Sequence, residues 1–335
     1  MSSLFMQSQM LESPSKDITL QFRLDDGKPL YSILYKRNEI TQFSRMGFEL
    51  KGQSALTEGF ELLKSTFTTI NQTWNPVLGE VASIKNHCNE LRVELIQRLT
   101  GRKLDIVFRA FDHGVAFRYE FPKQEKLNYF IISKESTEFN LTADHKAFWI
   151  PGDFDSQEYA YNETKLSEID VDRLDMNNGI GFKGPMKKTR VQSPLMIKTS
   201  NQIYLNIFEA AVINYPVMHL LLDPKTFSFT ADLAPNAIGD LAYLQTPFNS
   251  PWRTLMVSDD ARDILGSKMI LNLNEPSNFT DTSWIKPMKY VGIWWEMHVG
   301  RATWDYAGSQ NAQNAAGELK PSGKHGATTE NTKKY

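Results

Sequence analysis

Between residues 18 and 273 the chain is a succession of short alternating apolar segments broken by Gly, Pro, Asn and Asp, and that punctuation constrains its fold more than any other feature. Leu20, Phe22 and Leu24 alternate with polar neighbours up to Asp25-Asp26-Gly27-Lys28, after which Leu30, Ser32 and Leu34 alternate with Tyr31, Ile33 and Tyr35. A period of two on both sides of an Asp-Gly pair predicts a hairpin with a tight, positive-φ turn. Leu104, Ile106 and Phe108 repeat the pattern through Asp112-His113-Gly114 into Val115, Phe117, Tyr119 and Phe121, stopping at Pro122. Further strands are predicted over 129–132, 147–150, 195–198, 203–208, 218–222, 227–231, 242–245 and 268–273. Helical spacing is confined to 56–64 and 261–266, the second opened by Ser258-Asp259-Asp260 as an N-cap. Many short strands joined by turns predict a mainly β fold over residues 1–275, a sandwich of two antiparallel sheets.

Residues 276–288 are polar and contain Pro276 and Pro287, the chemistry of a linker. Tyr290, Val291, Ile293, Trp294 and Trp295 then form a short apolar run that reads as a buried strand. Beyond Arg301 no period is sustained, so 289–335 is expected to be the truncated start of a second domain.

The chain has 335 residues, 41% of them hydrophobic, enough for a substantial core. Its 37 basic and 39 acidic residues leave a net charge of −2 with no long run of either sign. No electrostatic case for nucleic acid or an anionic membrane follows. No segment reaches the roughly 20 apolar residues of a membrane-spanning helix, and Met1 to Met10 has no basic region of a secretory signal. The single cysteine, Cys88, excludes an intrachain disulfide framework and reads as a small buried side chain.

Two segments concentrate groups suited to sugars or hard cations. Trp149 to Glu163 combines aromatic rings with Asp153, Asp155, Glu158 and Glu163 in a loop-like setting. Carboxylates suit calcium, which takes about six to eight oxygen ligands; the spacing is not that of an EF-hand, and a solvated acidic face is the plainer reading. The second segment is Trp294-Trp295-Glu296, at the end of the predicted strand, where a ring could stack on a sugar; both tryptophans could equally be core. Ser250 and Ser283 lack His-Asp partners, and Gly179, Gly181 and Gly184 lack the strand–loop–helix setting of a nucleotide site.

Four motifs in order, Ser250-Pro-Trp-Arg-Thr-Leu, Leu271-Asn-Leu-Asn-Glu-Pro, Thr282-Ser-Trp-Ile-Lys-Pro and Val291-Gly-Ile-Trp-Trp-Glu, together with Phe208-Glu-Ala-Ala-Val and Tyr215, resemble glycoside hydrolase family 97. The likeness leans toward the α-glucosidases of starch-utilisation systems in gut Bacteroidetes. It implies an N-terminal β-supersandwich followed by a (β/α)8 barrel, with this chain holding the first and only the opening strand of the second. It implies a calcium-dependent α-glycosidase acting on starch-derived oligosaccharides in the periplasm, whose catalytic acid and base lie on later strands, so that no catalytic residue is assigned and the fragment is inactive alone. Glu158 best matches a calcium-binding glutamate, with Glu163 second; Gly179, Ile180, Gly181 and Trp294 match substrate contacts. The expected partners are an oligosaccharide and the chain's own barrel, without nucleic acid or membrane insertion. Alternatives are an α-galactosidase parent, or a carbohydrate-binding or architectural sandwich without catalysis.

Overall fold

The computed structural model describes residues 7–174, 186–290, 292, 294–295, 299 and 328–334. The chain divides into two compact units, Met1–Pro276 and Ser277–Tyr335.

The first unit is almost entirely strand. Sheet one is β1 (Gln7–Glu12), β2 (Ile18–Asp25), β3 (Lys28–Tyr35) and β4 (Asn38–Arg45), paired in chain order. There follow β5 (Phe48–Leu50), β6 (Gln53–Leu56), β7 (Phe60–Trp74), β8 (Ile84–Gln97), β9 (Lys103–Phe111), β10 (Gly114–Phe121), β11 (Tyr129–Glu135), β12 (Glu138–Asn140), β13 (Lys146–Trp149) and β14 (Asn162–Lys165). The remainder are β15 (Arg190–Gln192), β16 (Leu195–Lys198), β17 (Tyr204–Ala210), β18 (Met218–Asp223), β19 (Ser228–Leu233), β20 (Ala242–Gln245), β21 (Phe248–Asn249) and β22 (Trp252–Ser258). Both hairpins read from the sequence are present: Asp25 pairs with Lys28 around Asp26 and Gly27, whose φ values are 49° and 72°, and Phe111 pairs with Gly114.

One ten-stranded sheet, ordered β14-β13-β16-β17-β22-β10-β9-β8-β7 with β21 beside β10, forms a layer on its own. Sheet one and two further four-stranded sheets, β20-β11-β5-β6 and β12-β19-β18-β15, face it. A single apolar cluster fills the space between, drawing Leu91, Val93, Ile106, Phe108, Phe117, Leu205 and Leu255 from the large sheet and Leu20, Phe22, Phe48, Phe130, Phe139 and Leu220 from the smaller ones. Ring pairs stitch the layers, Phe22 to Phe108 at 5.7 Å, Tyr31 to Phe117 at 4.8 Å and Phe48 to Tyr119 at 4.5 Å. The expected antiparallel sandwich is therefore the fold, with one of its layers divided in three.

The large sheet's other face carries a smaller cluster, in which Cys88, Val107, Ala116, Trp252 and Met256 pack under Ile264 of helix α1 (Ala261–Gly266) and Met269 of helix α2 (Met269–Asn272). Asp260 caps α1 by accepting from the Arg262 amide, and Ser258 is hydrogen-bonded to Asp263 at 2.7 Å.

Three sequence expectations fail. Residues 56–64 are not helical: Leu56 ends β6 and Phe60 to Lys64 open β7, where β8 supplies a hydrogen-bonding partner along nearly all of the strand. Residues 268–273 form α2 instead of a strand, and the short apolar run covers a sheet face with Met269 and Leu273. The described residues of 290–295 are not a buried strand: Trp294 and Trp295 are helical, Tyr290 is 89% exposed, and among the described residues of the second unit no strand is available to pair with it. The same unit contains a T-shaped contact of Phe279 with Trp284 and the short helix α3 (Thr329–Thr332).

Candidate functional site

The acidic segment singled out in the sequence is the connection between β13 and β14, and buried side chains fix its shape. Asp153, 2% exposed, accepts hydrogen bonds from the Asp155 amide at 2.9 Å and the Tyr159 hydroxyl at 2.5 Å. Burial and the Asp153 carboxylate push the Tyr159 phenol upward, so it stays a donor. Gln192 of β15 donates to the Asp153 carbonyl at 3.3 Å and the Ser156 carbonyl at 2.7 Å. Phe154 lies 4.7 Å from the His219 ring, with the Arg190 guanidinium 4.2 Å from its centroid. Asp232 holds Arg190 at 2.6 Å. Gly152 is required beneath that arginine, because a Cβ there would lie 2.2 Å from Arg190 Cγ. His219 is pushed down to about 4 by burial and by Arg190, which keeps its ring neutral against Phe154.

A second polar cluster lies inside the sandwich. Arg253 of β22 is fully buried and donates through Nε and Nη2 to Glu135 at 2.8 and 2.7 Å and through Nη1 to Glu209 at 2.6 Å. Tyr215 and Thr137 also donate to Glu135, at 2.9 Å each. Burial drives Glu135 toward its neutral form, but Arg253 and these donors hold it below the usual carboxylate range. Glu209 is pushed up, chiefly by burial. Ser250 accepts from the Tyr119 amide at 3.0 Å. The Ser250-Pro-Trp-Arg motif and Phe208-Glu-Ala-Ala-Val with Tyr215 thus meet at this cluster, whose part is to hold three sheets together. In the sequence the cluster showed only as motif residues and as an arginine amid the mostly apolar residues of β22, without its pairing.

Glu158 stands exposed on the anchored loop, its amide receiving support from Ser156 Oγ at 3.2 Å. Glu163 lies in β14 and is paired with Lys146. Gly179, Ile180 and Gly181 lie outside the described residues. Trp294, 51% exposed, belongs to the second unit and its ring is 5.9 Å from that of Trp295. No group of three or more His, Cys, Asp or Glu side chains placed to hold a metal occurs among the described residues. One exposed glutamate beside a paired one does not make a calcium shell. Asp153, Gln192 and Arg190, which shape the loop, were not distinguished from its other polar residues by sequence reasoning, because burial is what separates them.

Residues 11–276 match the description Glycosyl-hydrolase 97 N-terminal. The chain is similar to a variant of a glycoside hydrolase family 97 enzyme from Pseudoalteromonas sp. strain K8, with 34% identity and a TM-score of 0.82 over 98% of this chain and 45% of that one. Structures of the Pseudoalteromonas family 97 enzyme in complex with acarbose and, for another variant, with panose align equally widely, each with a TM-score of 0.81. A retaining alpha-galactosidase of Bacteroides thetaiotaomicron is 22% identical over 88% of this chain and 45% of its own length. The chain therefore spans somewhat less than half of these relatives. By the match over residues 11–276, this chain belongs to glycoside hydrolase family 97.

Proposed function

We propose that this chain is the amino-terminal part of a calcium-dependent α-glucosidase that hydrolyses starch-derived oligosaccharides, and that it supplies the anchored β13–β14 loop to the rim of the substrate site. The observation carrying this reading is the 34% identity across 98% of the chain to an enzyme whose structures hold acarbose and panose. Glycoside hydrolysis needs two carboxyl groups flanking the scissile bond, and the chain alone is proposed to lack that pair and to be inactive. Glu158 is proposed as one of several calcium donors, completed by residues beyond those described, and Trp294 with the 179–181 turn as sugar contacts. A barrel of the same polypeptide is the proposed packing partner and the periplasm the proposed location.

A second reading, an α-galactosidase, is favoured by the Bacteroides relative. Hydrolysis of p-nitrophenyl α-glucoside and α-galactoside by residues 1–335 and by the complete gene product, each with calcium and with chelator, decides between them. Calcium-dependent glucoside hydrolysis only by the complete product supports the first reading. Preference for the galactoside selects the second, and hydrolysis of neither sugar by either protein sinks both.

A further inference from the structure

The ten-stranded sheet ends at β7, and among the described residues nothing pairs with the outer edge of that strand. It is 15 residues long, so at about 3.3 Å per residue it offers roughly 50 Å of unpaired backbone. Edge strands of natural proteins are usually blunted by charge, proline or bulges, because an open ladder is a template for another strand. In β7 those devices sit at one end. The register shifts between Leu62 and Lys64, and Glu61 and Lys64 are the only charged residues. From Ser65 to Trp74 the sequence Ser-Thr-Phe-Thr-Thr-Ile-Asn-Gln-Thr-Trp has no charge, Pro or Gly and is rich in good strand formers. Leu63 and Phe67 project apolar side chains that are 53% and 51% exposed. Beside Phe67 a groove of about 570 Å³ opens between Phe67, Thr68 and Thr69 on one side and Met10 and Glu12 of β1 on the other.

We propose that this edge is a homodimer seam, in which β7 pairs antiparallel with β7 of a second copy about a two-fold axis at Phe67. The strand is suited to itself. Phe67 is its midpoint, so the whole strand overlaps its copy: Phe67 faces Phe67, Thr66 faces Thr68, Ser65 faces Thr69, Lys64 faces Ile70 and Glu61 faces Thr73. No like charges oppose each other, and aromatic and Thr–Thr cross-strand pairs are favourable ones. The contact is isologous and closes on itself, so it stops at two copies. A strip of that length and one strand's width buries roughly 1,000 Å² in total, at the low end for a specific interface. Association is therefore concentration-dependent.

Light scattering on the eluting chain, loaded at about 1 to 200 μM to span a micromolar dissociation constant, reads the proposal directly. The mass doubles across that range; a monomer throughout overturns it. Thr66→Lys combined with Thr68→Lys sets positive charges opposite each other across the axis and returns the protein to monomer at the highest loading, while dimerisation equal to that of the unaltered chain overturns the seam. Phe67→Cys gives a second arm should the lysine pair not fold. Because Cys88 is buried, the new thiol alone forms a reductant-sensitive covalent dimer under mild oxidation; absence of that dimer also overturns the proposal.

Discussion

Replacing Arg253 by methionine removes the one cation from the cluster that joins three sheets, and leaves two carboxylates in the core. The side chains of Arg253, Glu135 and Glu209 are 0%, 0% and 6% exposed, so water does not take over the lost interaction. Arg253 makes three short charged hydrogen bonds, while Glu135 keeps Thr137 and Tyr215 and Glu209 keeps the Met218 amide. Breaking a buried pair from one side costs about 3–5 kcal/mol, which for a domain of this size lowers the melting temperature by roughly 10 °C. The loss depends on pH with a determined sign. With Arg253 present, Glu135 is held low, so its contribution is in place above the ordinary glutamate range and fades only as pH falls through its lowered value. Without Arg253, burial raises both carboxyls, and the variant loses stability as pH rises through those raised values. The gap between the two proteins in thermal melts therefore widens from pH 5 to pH 8, and Glu135→Gln with Glu209→Gln in the variant background narrows it. A drop under about 2 °C, no more than an ordinary surface change produces, or a gap that does not vary with pH, would refute this reasoning.

Gly47 has φ 131°, and a Cβ there would lie 2.2 Å from the Leu56 carbonyl oxygen, so Gly47→Ala forces backbone apart in the β5–β6 hairpin; a loss of about 2–4 kcal/mol is expected in denaturant titration. Asp105, pushed up to about 6 by burial against the pull of Arg92 and with Glu94 and Glu120 adding to the rise, contributes stability below the ordinary aspartate range that is lost as pH rises through about 6. Asp105→Asn should accordingly melt higher than the unaltered protein at pH 8 and no higher at pH 4; the opposite order would show that Arg92, 3.2 Å away, dominates.

The hairpins around Gly27 and Gly114 were legible because each needs only its own turn and a one-sided core. β22 was quoted as a motif but not recognised as a strand, since all seven of its residues are buried and no alternation survives. β7 was misread for the opposite reason: solvent reaches both of its faces, and only pairing with β8 makes it a strand. In the loop after β13 the sequence displayed the acids equally, whereas Asp153 is an interior anchor and Glu158 an exposed group. That difference comes from Gln192, Arg190 and His219, which approach from strands remote in sequence. The resemblance in the last third identified the family without fixing the conformation of the residues that carried it, as Trp294 and Trp295 illustrate.

The position of β22 has a consequence for how the chain is made. Among the described residues of the first unit it is the last strand in chain order, yet it lies at the middle of the large sheet, between β17 and β10. Until residue 258 has left the ribosome, β14-β13-β16-β17 and β21-β10-β9-β8-β7 are separate halves, each with a raw inner edge waiting for the same seven residues. Those edges are sticky in the sense that any strand can satisfy them. The nascent first unit is thus most exposed to mispairing just before β22 emerges, and a message ending ahead of Trp252 would yield two half-sheets and no sandwich.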